Sequence, residues 1–316
     1  MTLTADPPAV VASRTWRPPR PTDVRLTLGP LRHGSGDPSH QRTPDGSTWR
    51  ASRTPVGPVT LRLRQRHDGE VLADAWGPGA GWALDTLPDL LGAADDDTGF
   101  DCSHRLLHDP ARRFASWRIC RSGLVLESLV PVVLEQKVTG IEAKASWRRL
   151  LLRFGEPAPC PPGAAAAAPR LRLIPDGPTW ARIPSWEWHL AGVGPERARR
   201  IVTLAVHATR LEATLAMSHA EAARWLQLLP GVGVWTAAEV MQRAHGDPDA
   251  VSFGDFHLAK DVTWAFTGVV GDDEGMARVL QPWVGHRYRV CTLLALAGHR
   301  RPRYGPRLSP TDYRAL

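Results

Sequence analysis

Apolar and polar positions alternate with period two over Val59-Thr60-Leu61-Arg62-Leu63-Arg64, break at Asp68-Gly69 and return through Glu70–Ala75. An Asp-Gly pair between two alternating runs predicts a β-hairpin. Arg62, Arg64 and Arg66 fall on its polar side, which reads as a solvated outer face, with nucleic-acid contact as the alternative. Val24-Arg25-Leu26-Thr27-Leu28 alternates in the same way and predicts a further strand, as does Thr48-Trp49-Arg50-Ala51. Beyond residue 80 the period lengthens. Leu84–Leu91 predicts a short helix, and Asp95-Asp96-Asp97 a solvated loop without the ligand spacing of a cation site. Gly123–Phe154 reads as mostly helical with one apolar stripe. After Gly192-Val193-Gly194, Pro195 stands at a favoured first helical position, and Ala198, Ile201, Val202, Ala205 and Ala208 line one face. Ser218 predicts an N-cap for the helix carrying Trp225 and Leu226.

These patterns predict an α+β protein: an N-terminal antiparallel β-sheet domain with helices over residues 23–123, then a mostly helical region over 124–300. Residues 1–22 and 301–316 are rich in Pro and Arg and read as tails, the first disordered. A Pro- and Ala-rich stretch near residues 156–170 reads as a linker.

The stretch Leu228-Leu229-Pro230-Gly231-Val232-Gly233-Val234-Trp235-Thr236-Ala237 breaks one helix and starts another. Both glycines permit positive φ and leave the turn bare, so that free amides at the start of the second helix can face an anion such as a nucleic-acid phosphate. An ordinary interhelical turn is the alternative. Twenty-two residues after Gly233, the apolar run Val251–Leu258 delivers the carboxylate of Asp255 to the start of another helix, where a plain N-cap is its simplest role.

Together the hairpin and the Asp255 segment resemble the helix-hairpin-helix DNA glycosylase superfamily, in particular its 3-methyladenine DNA glycosylase II branch. Val132–Thr139 around Gln136 resembles the segment that opens the helical region there, and Trp283-Val284-Gly285-His286-Arg287 resembles its Trp-x-Pro-x-Arg element. The likeness spans roughly residues 124–298. It implies two helical lobes with the active site in the cleft between them, and a monofunctional enzyme that flips an alkylated purine out of the duplex and hydrolyses its glycosidic bond. Another lesion class, deaminated or bulky, and a non-catalytic damaged-DNA-binding protein are the alternatives. The resemblance makes Asp255 the catalytic carboxylate and places Trp235, Glu239, Trp283, His286 and Gln136 around the base. It assigns Leu229, Gly231, Val232, Gly233, Thr236, Lys137 and Arg287 to DNA binding, with the Leu229 and Val232 carbonyls able to hold Na+ or K+. Trp235 stands where bifunctional relatives carry a lysine, so no lyase activity is expected; Trp235 as core is the alternative. Lys137 stands where the superfamily has an apolar wedge, Glu239 replaces a pocket tyrosine, and His286 replaces a pocket aromatic.

Composition changes this picture little. The 316 residues suit two or three lobes, and 39 Lys+Arg against 32 Asp+Glu leave a net charge of +7, compatible with a polyanion partner. Lys137, Lys144 and Lys260 are the three lysines; the remaining fixed cations are Arg. Cys102, Cys120, Cys160 and Cys291 are scattered, so neither a disulfide framework nor an iron–sulfur cluster is expected. Neither a targeting core nor a membrane-length run is present in the sequence. The expectation is a cytoplasmic, nucleoid-associated bacterial monomer acting on double-stranded DNA with damaged bases.

Overall fold

A computed structural model describes residues 11–160 and 168–302. Five strands, β1 (Val11–Trp16), β2 (His40–Arg42), β3 (Thr48–Thr54), β4 (Gly57–Gln65) and β5 (Val71–Trp76), form one antiparallel sheet in the order β1-β5-β4-β3-β2. The Asp68-Gly69 hairpin joins β4 to β5, and Arg62, Arg64 and Arg66 on it pair with Asp45, Asp74 and Glu70. That face is self-neutralised, as a solvated surface would be.

Two readings of the N-terminal region change. Residues 11–16 of the predicted tail form an edge strand whose backbone bonds β5 from Val11↔Trp76 to Trp16↔Val71. Residues 1–10 lie outside the described residues, as do 161–167 of the linker and 303–316 of the second tail. Val24–Leu28 is not a strand: α1 (Val24–Thr27) forms there because Asp23 Oδ1 accepts the Arg25 and Leu26 N–H groups. A side-chain cap at the first residue outweighs period-two alternation over five residues. Helices α2 (Ala80–Asp85) and α3 (Leu87–Leu90) cover the sheet, burying Leu84, Leu87 and Leu91 against Val59, Leu61, Leu63 and Val71.

The helical part divides into two cores. The larger is built from α5 (Val125–Glu135), α6 (Gly140–Phe154), α7 (Gly177–Arg182), α8 (Ser185–Leu190), α9 (Pro195–Val206), α10 (Ala208–Ala213), α11 (His219–Gln227) and α12 (Val234–Val240), the last continued by a π-turn over Met241–His245. The smaller joins α13 (Leu258–Thr267), α14 (Asp273–Leu280) and α15 (Arg287–Leu296) to α4 (Arg105–Arg113), which lies far upstream. Residues 105–119, within the predicted 23–123 span, thus bury their apolar side chains with the C-terminal helices. Leu107, Trp117 and Ile119 are buried there with Met276, Leu280, Val290 and Leu294.

Asp95 also differs from its expected solvated loop. Its side chain is buried and forms a bidentate pair with Arg289 (2.5 and 3.2 Å), while accepting the Ile119 N–H. Removing one partner of such a pair leaves an uncompensated buried charge, so this contact ties the 92–100 loop to α15.

Three histidines, His40 and His245 buried and His33 half-buried, couple the fold to pH. Burial pushes His40 down to about 3 with help from the Arg50 guanidinium, and pushes His33 and His245 down to about 4. Each binds its proton less well folded than unfolded, so its stabilisation is complete above the unfolded value of about 6.5 and shrinks as pH falls toward the folded one. We expect the stability gap between the parent and His40→Gln, read from urea midpoints, to be widest at pH 7 and to narrow steadily by pH 5.

Candidate nucleic-acid interface and active site

A capping box between Ser218 and Glu221 starts α11 and aims it at the hairpin. The Leu228 and Leu229 N–H groups close the last turn, and Val232 N–H then donates to the Leu229 carbonyl (3.0 Å). Val232 is buried in the larger core and Leu229 packs against it, so the hairpin is anchored by its apolar side chains and leaves its backbone outside. Gly231 has φ +82°, and a Cβ there would come 2.5 Å from Arg200 Cδ; this position needs glycine. Gly233 does not share that need. It is extended at φ −88° with open space around it, so of the two glycines that permit positive φ only Gly231 uses it. It serves as the N-cap residue of α12.

Gln136 ends α5 and clasps this hairpin. Its amide donates to the Gly231 carbonyl (3.0 Å) and to Thr236 Oγ1 (2.9 Å), and its oxygen accepts from Arg200 Nη1 (2.6 Å). With both ends engaged, Gln136 holds the hairpin. Thr236 is buried and reaches outward only through this bond. Lys137 follows at an exposed corner with φ +56°, alone among the described non-glycine residues in having positive φ. Such conformations persist where surrounding structure imposes them, and they cluster at functional sites.

Asp255 comes to the same place by another route. Ser252 to Asp255 form a tight turn closed by Asp255 N–H to the Ser252 carbonyl (3.2 Å), with Gly254 at φ +86° in the third position. Asp255 Oδ1 then accepts the His257 and Leu258 N–H groups, both at 2.7 Å, at the start of α13. The cap reading is met in its hydrogen bonds, although His257 holds the N-cap position and α13 begins at Leu258; the bonds fix one oxygen while the side chain stays partly exposed. A Cβ on Gly254 would lie 3.9 Å from Trp235 Cβ, so the Asp255 turn and the first turn of α12 lie close together. Trp235 is half-buried, and its indole N–H is enclosed without an acceptor.

The other expected pocket residues are engaged elsewhere. Glu239 accepts from Arg243 Nη1 (2.6 Å) and from Ser252 Oγ, so both its oxygens are spent inside the protein. Trp283 is buried at 7 % exposure between His104 and Phe266, with its N–H on the Asp101 carbonyl, and is core, not pocket. His286 sits against Phe100 with Nε2 at the Thr98 carbonyl (3.1 Å). Arg287 forms a bidentate pair with Asp249 (2.8 and 2.5 Å), which occupies the face it would turn toward phosphate.

Glu135 was not singled out from the sequence, although it directly precedes Gln136. It is half-buried, and burial raises its pKa; Glu239 and Asp255 push the same way, while Arg243 and Lys144 oppose. Burial alone would lower the Arg243 pKa, but the Glu239 carboxylate together with Tyr288 and Glu135 offsets this and keeps the guanidinium charged. Glu135, Glu239, Arg243 and Asp255 therefore share one electrostatic environment. No group of three or more His, Cys, Asp or Glu side chains suited to a metal ion occurs among the described residues.

An antiparallel sheet followed by two helical cores, one carrying a helix–hairpin–helix clasped from α5, is a fold this chain shares with solved DNA glycosylases. The chain superposes on the 3-methyladenine DNA glycosylase of Archaeoglobus fulgidus with a TM-score of 0.74 and 16 % identity, over 89 % of this chain and 96 % of that one. The 8-oxoguanine glycosylase/lyase of Clostridium acetobutylicum matches at 0.69 in its apo form, with 11 % identity over 92 % of this chain and 98 % of that one. The same enzyme in complex with double-stranded DNA matches at 0.65 with 10 % identity over the same shares. No family profile and no curated protein matches by sequence, so the likeness is one of fold.

Freeing the hairpin from its clasp should weaken phosphate contact without regard to base sequence. Gln136→Ala is expected to lower affinity for undamaged duplexes of different sequence by a common factor. It should also flatten the log–log salt dependence, which is about −0.9 per neutralised phosphate. Fluorescence anisotropy over a salt series measures both.

Proposed function

We propose that the protein is a monofunctional DNA glycosylase that hydrolyses the N-glycosidic bond of alkylated purines of the 3-methyladenine and 7-methylguanine type, acting as a monomer on duplex DNA. The observation that carries this reading is the close approach of the Asp255 turn to Trp235 at the hairpin helix. A base inside a duplex is stacked, so the nucleotide must be rotated out at a cost of a few kcal/mol. The hairpin backbone around Gly231 and Gly233 grips phosphate meanwhile, and Lys137 at its exposed corner lies where the extruded base leaves a gap. The Leu229 carbonyl keeps a lone pair after accepting one N–H, which suits it, with Val232, to a monovalent cation shared with phosphate.

As the base departs, positive charge grows on the sugar. A carboxylate held rigidly at Asp255 stabilises that charge and orients water; losing one such preorganised group typically costs on the order of 100–1000-fold in rate. Methylated purines are cationic, so the Trp235 ring attracts them by up to about 2 kcal/mol beyond burial once desolvated. Lyase chemistry needs an amine beside the sugar. Trp235 fills that place, and the Lys260 ammonium lies over the Phe256 ring at 4.2 Å.

A second reading is favoured by Glu135. A neutral damaged base is a poor leaving group and needs a proton, and a carboxyl whose pKa is raised by burial can supply it. On that reading the enzyme also takes neutral lesions, such as deaminated or oxidised purines. The fold neighbour from Clostridium acetobutylicum acts on 8-oxoguanine.

Chromatography of bases freed from methylated, deaminated and oxidised DNA separates the two. The first reading predicts 3-methyladenine and 7-methylguanine from methylated DNA, nothing from the others, and abasic strands left uncut. Release of neutral bases as well establishes the second, and release of none from any substrate overturns both.

A further inference from the structure

Glu239 fails as a pocket residue because both its oxygens are spent, but what they hold is informative. Ser252 Oγ donates to Glu239 and also lies 2.9 Å from Gln242 Nε2, whose amide donates again to the Ala250 carbonyl (2.8 Å). Gln242 and Arg243 stand in the π-turn over Met241–His245, and such single-turn insertions shift side chains off the regular helical positions. Arg243 locks Glu239 through two contacts, to its carboxylate (2.6 Å) and to its carbonyl (2.8 Å), and reaches Pro30 of the sheet domain through Nε (3.1 Å). Ser252 is 3 % exposed and is the first residue of the turn that ends in Asp255. The other side of the turn is held from α14, where Asp273 Oδ2 accepts the Gly254 N–H (2.8 Å).

Resting on the glycosylase reading above, we infer that Glu239, through Ser252, and Asp273, through Gly254, are positioning residues: they clamp the 252–255 turn from opposite sides and set where the Asp255 carboxylate stands. Neither side chain needs to touch DNA for this. The clamp adds to the two amide bonds at the start of α13, which fix the Asp255 rotamer but leave the turn beneath it free to tilt. A reacting group displaced by about 1 Å can cost on the order of 100-fold in rate while binding is kept.

The test uses the full chain, the substrate from which the parent releases base, and an abasic-site duplex. Ser252→Ala and Asp273→Ala are each expected to lower the single-turnover rate of base release at least tenfold, with affinity for the abasic duplex within twofold of the parent. Asp273→Asn keeps an oxygen for the Gly254 N–H and should restore the rate to within threefold; a helix-start charge effect would be lost in Asn as in Ala. Thermal midpoints of all three variants check folding. Variants that release base at the parent rate overturn the inference and leave the glycosylase reading standing. Loss of rate and abasic binding in equal measure also overturns it, because that marks general unfolding of the site. A parent that releases no base from any lesion is the distinct failure of the functional reading.

Discussion

The two amide N–H groups at the start of α13 that bind one oxygen of Asp255 are the contact on which the site depends. An isolated carboxylate on a loop would reorient toward water as charge developed near it, and would contribute little. Held by His257 and Leu258 N–H at 2.7 Å each, it keeps its orientation and cannot turn to follow the solvent. The cap and the catalytic role proposed for Asp255 therefore do not compete. The helix that Asp255 starts is the device that holds the carboxylate still.

That contact has meaning only because a second loop, remote in sequence, arrives beside it. The larger core buries Val232 and clasps Gly231 through Gln136, and α12 then presents Trp235 to Gly254. Both loops belong to different cores, so their meeting requires the cores to be joined stiffly. Polar contacts do this work: Arg243 links α12 to the sheet domain at Pro30, and Asp95 links the sheet domain to α15 through Arg289. Asp95 and Arg289 are buried, so removing either leaves a charge without compensation.

Much of this was legible in the sequence where the signal was local. The Asp68-Gly69 hairpin, the Ser218 cap, the Pro195 helix start and the α+β order follow from spacing and turn chemistry within a few residues. The hairpin and Asp255 pointed to DNA glycosylases, and a solved 3-methyladenine DNA glycosylase shares the fold over 89 % of this chain. Contacts between distant segments were not legible. Trp283 reads as a pocket aromatic until His104 and Phe266, one of them nearly 180 residues upstream, are seen to enclose it. Arg287 reads as a phosphate ligand until Asp249 is found on its guanidinium. α4 was assigned to the sheet domain because sequence order suggested it, whereas its apolar side matches the C-terminal helices. Val24–Leu28 failed for a different reason, since one capping aspartate outweighed the alternation. Glu135 was overlooked because its interest lies in burial beside Asp255, which spacing does not reveal.

The most direct measurement is base release and binding by Asp255→Asn on duplex DNA carrying methylated purines. The asparagine keeps an oxygen for the His257 and Leu258 amides, so α13 and the turn stay in place while the negative charge is gone. The account predicts that base release falls by on the order of 100-fold or more while affinity for the damaged duplex is kept or rises. Release of 3-methyladenine at the parent rate would contradict it.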